Sequence, residues 1–547
     1  MTAPGRTRNS FWLLLAAWAL LVVTALLTRP LLPVDETRYV GVAWEMWARD
    51  GFLVPYLNGE PYSHKPPLLF WLIQAGWWLF GVNDVWPRLV APLIGLGCLG
   101  LTVRLARRLW PQRPLAAVLA PWLLFGCVFF AGFSTLIQFD LLIVFCTLLG
   151  MLGLQRAATG VGSGWLVVGL AIGLGVLTKG PVILLHVLPA ALLGRLWVDR
   201  ARLRGWAWWY GGLAAAVVLG AAIALAWALP AGQTGGPDYQ RAIFWGQTAE
   251  RMVDSFAHRQ PFWWYLPWLP LLLLPWTLWP PLWRALRGGI GGERAGRFLL
   301  CWALPAVIAL SLISGKQVKY LLPVFPALAL LAAGALARVS DVFASQRAPQ
   351  GLSQKVPQGS PRRQGLALAL LAAPALLFGF AAFRDLDARV HWAAAIEPLW
   401  GLAFLAAAAL WWRWRPAGLL GRVEALALAG VVLLVGLHVA VLRVAAPAYD
   451  LRAFSLRLGE LQAAGHPVAH VGKYHGQFHF LGRLRAPLTV IDAAAAMGWA
   501  RTHPDGYLVL YCDQMPEPCS GGELLQDYRG DADDLVLWAA GKWLAAQ

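Results

Sequence analysis

The sequence has few charged residues and few cysteines for its length. Only 13% of its 547 residues are Asp, Glu, Lys or Arg, whereas 59% are hydrophobic and 32 are Trp. So little charge cannot cover a water-soluble surface, which excludes a set of soluble domains. Six cysteines are too few for a disulfide scaffold, and the apolar periodicity excludes a disordered chain. We therefore predict an all-α polytopic membrane protein.

About thirteen apolar segments are candidates for crossing a bilayer, which takes about 20 residues. They lie near residues 10–28, 88–103, 114–131, 138–155, 162–177, 181–194, 206–229, 263–283, 298–313, 320–337, 366–383, 395–411 and 423–443. Alternate loops differ in charge: one set holds 23 Lys and Arg against three Asp and Glu, and the other holds 13 of each. The positive-inside rule makes the basic set cytoplasmic. The net charge of +17 therefore indicates topology, and we expect no nucleic-acid partner.

The first apolar segment follows two basic residues, Arg6 and Arg8. It is long for the core of a signal peptide, and Leu27–Val34 offers no small-residue cleavage site. We interpret it as a retained anchor with a cytoplasmic N-terminus. An odd number of crossings then places the C-terminus in the periplasm, with the protein in a bacterial inner membrane.

The chain divides into a transmembrane region, 1–445, and a small α/β tail domain, 446–547. Two long periplasmic loops, 29–88 and 230–262, belong to the first region. Within the first loop, Arg38–Asp50 has the spacing of an interfacial amphipathic helix. In the tail, the pattern predicts a helix over 452–464 and short strands over Pro467–Val471, Leu488–Ile491 and Tyr507–Tyr511.

Two of the six cysteines, Cys512 and Cys519, lie in this tail. A loop that faces an oxidising compartment favours disulfide formation between them. The other four cysteines lie in apolar segments and are expected to pack as small apolar residues.

A pair of adjacent carboxylates, Asp35 and Glu36, follows the first apolar segment. At a membrane surface such a pair could supply a general base, and Arg38 would adjust its pKa values. The competing interpretation is structural, because acidic residues are also favoured in the first turn of a helix.

The same loop contains the sequence Tyr62-Ser63-His64-Lys65-Pro66-Pro67. A Lys fixed by two prolines beside a membrane suits a contact with a phosphate or lipid headgroup. The alternative is a Lys that snorkels from the next apolar segment towards water.

Further ionisable residues interrupt apolar stretches at the face assigned to the periplasm. Asp140 is isolated at the end of an apolar segment, where a charge is costly and indicates function. The other candidates at this face are Lys179, His258, Lys316, Lys319 and Tyr320. Carboxylates and cations gathered on one side indicate a reaction site, whereas a transporter more often places them near the midplane.

Six motifs occur in order along the chain. They are DETRY, NGEPYSHKPPLLFWL, GVNDVWPRL, LTKGPV, HRQPFWWYLP and SGKQVKYLLPVFPALAL. With them the chain resembles the GT-C glycosyltransferases from the first apolar segment to about residue 330, with fainter similarity in the tail domain. The resemblance is greatest to the branch that contains the lipid A aminoarabinose transferase and more distant to the protein O-mannosyltransferases.

The resemblance implies transfer of a sugar from a polyprenyl-phosphate carrier to an acceptor at the periplasmic face, with inversion. It implies that Asp35 is the essential carboxylate and that Asp140 is a second important one. It also implies that Arg38 and Lys65 contact the donor phosphate and that Tyr320 belongs to the site. Electrostatic stabilisation of the leaving phosphate by such cations is consistent with this chemistry.

The sequence departs from the family at His64, where relatives often have an acid before the Lys. A divalent metal at that position is therefore in doubt. His64 and His258 would supply two ligands, but two His without a third ligand are a weak indication of a metal site. The sequence establishes no required cofactor.

Other functions remain open from the residues alone. A transporter or flippase for a lipid-linked anionic sugar would use the same cations without needing Asp35, and an oligosaccharide polymerase or ligase would differ only in its acceptor. The expected partners are a lipid-linked sugar donor and a lipid or glycan acceptor, with lipid A, a core sugar, a protein hydroxyl and another glycolipid all open as acceptors. We expect the protein to act as a monomer.

Overall fold

The computed structural model describes most of the chain. The described residues are 4–245, 259–289, 291–345, 365–383, 392, 395–414, 416, 418–512, 521–528 and 534–546. Two residues singled out from the sequence, His258 and Cys519, lie outside this set.

The transmembrane region consists of α-helices and short connecting turns. Its long helices are α1 (Pro4–Thr28), α4 (Val85–Leu109), α5 (Pro114–Phe125), α7 (Asp140–Ala157), α8 (Ser163–Lys179), α9 (Ile183–Leu192), α10 (Trp206–Gly235), α14 (Arg294–Leu312), α15 (Phe325–Ser345), α16 (Gly365–Phe383), α17 (Trp400–Arg413) and α18 (Gly418–Leu437). Shorter helices are α6 (Val128–Phe133), α11 (Pro237–Arg241), α12 (Tyr265–Leu272) and α13 (Pro280–Arg287). A π-helical turn, His438–Leu442, and a last α-turn, Arg443–Ala445, extend α18.

Helical structure occurs in each of the thirteen predicted segments, so the prediction of a polytopic all-α region is confirmed. Eight helical stretches among the described residues are long and apolar enough to cross a membrane. The number of crossings stays a prediction. Two predicted segments, 162–177 and 181–194, form the single stretch Ser163–Leu196, which bends where Gly180–Val182 forms a 3₁₀ turn.

The predicted segment 263–283 differs most from a regular span. It forms two helices of eight residues each, α12 and α13, with a 3₁₀ turn between them. Its prolines explain the break, because proline lacks a backbone N–H and clashes with the preceding turn of a helix.

The loop over residues 29–88 folds into its own helices. Helix α2 spans Asp35–Ala48, and a two-strand hairpin pairs β1 (Tyr56–Leu57) with β2 (Glu60–Pro61) before α3 (Leu68–Phe80). The amphipathic helix predicted over Arg38–Asp50 thus begins three residues earlier. It is also largely buried, because the tail domain packs on it.

The tail domain contains a five-stranded mixed sheet. It comprises β3 (Val468–Val471), β4 (Thr489–Ile491), β5 (Tyr507–Tyr511), β6 (Leu524–Gln526) and β7 (Leu535–Ala539), in the order β4-β3-β5-β7-β6. Its helices are α19 (Arg452–Ala463), α20 (Ala493–Thr502) and α21 (Ala540–Ala546). The three predicted strands and the predicted helix are confirmed, whereas β6 and β7 were not predicted. Cys512 is disulfide-bonded.

The tail shares a hydrophobic core with the loop helices. Trp77 of α3 stacks on Phe480 with ring centroids 5.2 Å apart. The Trp44 indole N–H donates to the Leu484 carbonyl at 2.8 Å. The Asn58 side chain accepts from and donates to the backbone of Leu488. The tail domain therefore packs against α2 and fixes its position. The domain boundary between residues 445 and 446 stays a prediction.

Candidate active site

Asp35 is the first residue of α2, where the N–H groups of the first helical turn favour a carboxylate. Its side chain is 38% exposed, so the carboxylate can be reached from solvent. Arg38, one turn later, forms an ion pair with Oδ1 of Asp35. On the other oxygen, Oδ2, the Gln138 amide donates a hydrogen bond of 3.1 Å, and Lys319 Nζ lies 3.6 Å away.

The carboxylate is surrounded by cations. Burial by itself would raise the pKa of Asp35, but the hydrogen bond from Gln138 and the charges of Lys319, Arg38 and Lys65 outweigh it, so that the pKa is lowered. Three cationic side chains thus surround one carboxylate, and the group as a whole is positively charged. Such a cluster is suited to bind a phosphate beside an ionised carboxylate.

A second ion pair lies at the same end of the bundle. Asp140, the first residue of α7, accepts a 2.6 Å hydrogen bond from Nζ of Lys179, the last residue of α8. Both charges are placed favourably with respect to their helix dipoles. The Lys179 ammonium also lies 4.5 Å from the centre of the Tyr320 ring, a cation–π contact. Helix ends therefore bring together Asp140, Lys179 and Tyr320 as predicted.

Tyr39 connects the two groups of charges. Its ring packs edge-on against Phe139, with centroids 5.0 Å apart, and Phe139 stands between Gln138 and Asp140 in sequence. Burial first, and then the negative charges that include Asp35 and Asp140, raise the pKa of Tyr39, so its hydroxyl stays protonated. Tyr39 can donate a proton in a hydrogen bond at this site.

Lys65 and Tyr62 also lie at this site. Lys65 Nζ is 5.9 Å from the centre of the Phe139 ring and lowers the pKa of Asp35. Tyr62 is buried, with its ring 5.2 Å from that of His64. Among the described residues, no three His, Cys, Asp or Glu side chains form a group that could hold a metal ion. His258, the other proposed ligand, lies outside the described residues.

Glu36 is buried next to Asp35 and has partners of its own. It is 2% exposed and forms a buried ion pair with Arg29, with Nη1 and Oε2 2.6 Å apart. It also accepts hydrogen bonds of 2.8 Å from the backbone N–H groups of Leu32 and Ile137. Because it joins the start of α2 to the segment before α7, we propose a positioning role for Glu36, and its predicted catalytic role stays a prediction.

Lys316, predicted to bind substrate, is held by backbone groups of the protein in this structure. It is 3% exposed, and Nζ donates to the backbone carbonyls of Gln260 at 2.8 Å and Ile313 at 2.5 Å. Burial lowers its pKa. Lys316 therefore connects the backbone at Ile313 to that at Gln260. Of the two lysines in this motif, Lys319 is the one that contacts Asp35.

Part of the chain is similar in sequence to known sugar transferases. Residues 64–227 match the family model described as dolichyl-phosphate-mannose-protein mannosyltransferase. The undecaprenyl phosphate-alpha-4-amino-4-deoxy-L-arabinose arabinosyl transferase of Edwardsiella ictaluri is 35% identical over 346 residues, which cover 60% of this chain and 60% of that protein. The transferase of the same name from Pseudomonas aeruginosa (strain UCBPP-PA14) is 34% identical over 382 residues, 68% of this chain and 66% of that protein.

Structural comparison covers nearly the whole chain. The crystal structure of ArnT from Cupriavidus metallidurans in the apo state matches 98% of this chain and 99% of that chain, with a TM-score of 0.77 and 20% identity. The chain has the GT-C fold. A second crystal structure of ArnT, bound to undecaprenyl phosphate, matches 98% of both chains with a TM-score of 0.73 and 20% identity.

These comparisons confirm the resemblance drawn from the six motifs and indicate a multi-pass inner-membrane protein of the GT-C fold. The GT-C fold extends through the tail domain, whereas the sequence motifs ended near residue 330. In sequence, this chain spans about three fifths of the length of the Edwardsiella relative.

Sequence reasoning missed three residues that contact the predicted site residues Asp35 and Glu36 or lie between the two groups of charges. Gln138 and Tyr39 were not predicted as site residues, and Arg29 was assigned only to a loop. A signal existed for Gln138, because it is a polar residue two positions before the isolated Asp140. No comparable signal existed for Arg29, whose role depends on a pairing with Glu36 that only the fold shows.

Proposed function

We propose that this chain is a glycosyltransferase that moves a sugar from a polyprenyl-phosphate carrier to lipid A or another cell-envelope glycolipid. The observation that carries the proposal is the group of three cations, Arg38, Lys65 and Lys319, around the single ionised carboxylate of Asp35. A phosphate leaving group and a sugar that becomes positively charged need these two kinds of side chain side by side.

The cations act on the donor. When the bond between the anomeric carbon and the phosphate oxygen breaks, negative charge develops on the phosphate, and cations already in place stabilise it without reorganising. Lys319 and Arg38 contact Asp35 directly, and Lys65 lies over Phe139 nearby. A phosphate at this point would replace Asp35 as a partner for at least one of them.

Asp35 acts on the acceptor and on the sugar. A carboxylate with a lowered pKa is a weak general base, because proton transfer is most efficient when the pKa is near the working pH. It remains ionised, however, so it can orient the attacking oxygen and stabilise positive charge at the anomeric carbon. Attack from the face opposite the leaving phosphate gives inversion in a single displacement.

The comparisons support the choice of donor. One similar crystal structure is bound to undecaprenyl phosphate, and the similar curated proteins are named as arabinosyl transferases that use an undecaprenyl-phosphate-linked aminoarabinose. The charge difference between alternate loops supports a cytoplasmic N-terminus and a periplasmic site and tail domain.

A transfer assay tests the proposal. Purified protein is incubated with radiolabelled undecaprenyl-phosphate sugars, including 4-amino-4-deoxy-L-arabinose, and with a total bacterial lipid extract. Label that appears in an acceptor lipid supports the proposal, and its migration against lipid A standards identifies the acceptor. If no donor gives product while the same protein moves the labelled lipid across vesicle membranes, the protein is a transporter and the proposal is wrong.

A further inference from the structure

A polar cavity of about 320 Å³ lies where three helical stretches meet. It is bordered by the end of α1, the start of α4 and the segment that joins α18 to α19 in the tail domain. Asp35, Gln138 and Lys319 do not line it. Its volume is that of a small-ligand pocket rather than of a packing defect.

Cations outnumber carboxylates in the lining. The charged residues there are Arg29, Arg88, Arg443, Arg452, Asp84 and Asp450. Two of these cations are already neutralised, because Arg29 is paired with Glu36 and Arg452 with Asp84. A second arginine, Arg483, lies 3.6 Å from the same Asp84 carboxylate. The cavity therefore carries an excess of positive charge.

Arg88 and Arg443 remain after these pairs, against the single carboxylate of Asp450, and leave an excess of one positive charge. The guanidinium of Arg88 donates to the carbonyls of Ala25, Leu26 and Arg29, which are acceptors without charge. Arg443 is exposed, and among the described residues its guanidinium takes part in no hydrogen bond or ion pair. An arginine that enters a cavity without a partner is available to an anion.

The cavity lies at the end of a membrane-crossing bundle. Leu27, in its lining, is 80% exposed and belongs to the last turn of α1, which is one of the candidate spans. Arg88 and Arg443 belong to two other candidate spans, close to an end of each helix. Cations at this depth meet the phosphates of lipid headgroups, while the apolar wall of Leu27 and Leu31 suits the start of an acyl chain.

We propose that this cavity binds the phosphate of an anionic lipid headgroup, with Arg443 as the side chain that closes on it. The bound headgroup joins the last helix of the bundle to α1, and so joins the tail domain to the base of the active site. This binding requires no sugar transfer, so it can fail or succeed independently of the proposed function.

Native mass spectrometry of the full chain in a non-ionic detergent tests the proposal. Delipidated protein is titrated with phosphatidylglycerol, with phosphatidylcholine and with inorganic phosphate, and the first bound molecule is quantified. The variants are Arg443→Ala and Arg443→Lys, and Arg241→Ala is the matched control, because it removes another exposed arginine charge, outside the cavity.

The wild type should bind phosphatidylglycerol more tightly than phosphatidylcholine. Arg443→Ala should weaken the first binding event about 5-fold, the effect expected of one basic side chain at an anionic headgroup, while Arg443→Lys should retain most of it. Arg241→Ala should bind as the wild type does.

Equal binding by Arg443→Ala and the wild type would overturn the proposal, as would an equal loss in Arg241→Ala. Equal binding of phosphatidylcholine and phosphatidylglycerol would show that the cavity does not select an anionic headgroup, and would also overturn the proposal. Competition by millimolar inorganic phosphate, without a preference for lipid, would show that the site takes free phosphate and not a headgroup.

Discussion

The Gln138 side-chain amide donates a 3.1 Å hydrogen bond to Asp35. Its carbonyl oxygen accepts a 3.4 Å hydrogen bond from Lys319. One neutral side chain thus fixes the spacing between the central carboxylate and one of its cations. Because the amide comes from the segment before α7, it also ties the position of α2 to the transmembrane bundle.

Replacement of Gln138 with Leu should shift the pH dependence of transfer. The hydrogen bond stabilises the ionised form and helps to lower the pKa of Asp35, so its loss should raise that pKa. The acid limb of the kcat/KM profile should then move to higher pH, because a hydrogen bond to the ionised carboxylate is lost. Gln240→Leu, at an exposed position of α11, is the control and should leave the profile unchanged. If the acid limb of Gln138→Leu did not shift, the hydrogen bond from Gln138 would not determine the pKa of Asp35, and the prediction would be wrong.

The Asp140–Lys179 pair should show strong coupling in stability. Removal of either charge leaves the other one buried without compensation, which costs about 3–5 kcal/mol. Asp140→Asn and Lys179→Gln should each lower the unfolding temperature, and the double variant should recover most of the loss because no uncompensated charge remains. Transfer should stay low in the double variant if Asp140 has the important role that the family resemblance implies. Full activity there would make the pair purely structural.

Glu36→Gln should act through stability. The substitution removes the charge that compensates the buried Arg29, so the unfolding temperature should fall and activity should fall with it. Activity measured well below the unfolding temperature should stay within about 10-fold of the wild type, since positioning mutations can cost up to about 100-fold when they move a site by 1 Å. A complete loss of activity at unchanged stability would return Glu36 to the catalytic group.

Substitutions of Lys316 and Lys319, the two lysines of the SGKQVKYLLP motif, should have different effects on donor binding and on loop stability. Lys319→Met removes a cation next to Asp35 and should raise KM for the lipid-linked donor. Lys316→Met removes two hydrogen bonds to backbone carbonyls and should speed proteolysis of the loop at residues 259–264 with a smaller change in KM. If Lys316→Met gave the larger rise in donor KM, Lys316 would be the donor contact and the role proposed for Lys319 would be wrong.

The fold was largely predictable because the length of an apolar segment directly indicates a helix that can cross a membrane. Each predicted segment contains a helix, and the three predicted tail strands are present. The break within residues 263–283 could have been anticipated from its prolines. The burial of α2 could not, because the surface that covers it, including Phe480 and Leu484, lies more than 400 residues away in sequence.

Some residues of the site were predictable because charged residues are rare within or beside apolar segments and therefore stand out in the sequence. Asp35, Asp140 and Lys179 were recognisable on that basis, and the structure brings them to one end of the bundle. Partners were not predictable, so Glu36 and Lys316 were assigned by their type alone. Their pairing with Arg29 and with backbone carbonyls decides their roles, and such pairings depend on the fold.

The central claim is that Asp35 is the carboxylate on which sugar transfer depends. The most direct test compares single-turnover transfer from a radiolabelled undecaprenyl-phosphate sugar by the wild type, Asp35→Asn and Asp238→Asn, with the unfolding temperature of each. Asp238 is an exposed carboxylate of α11 and serves as the control. We predict that Asp35→Asn folds normally and transfers no detectable sugar, while Asp238→Asn transfers as the wild type does. Transfer by a folded Asp35→Asn at the wild-type rate would contradict the account.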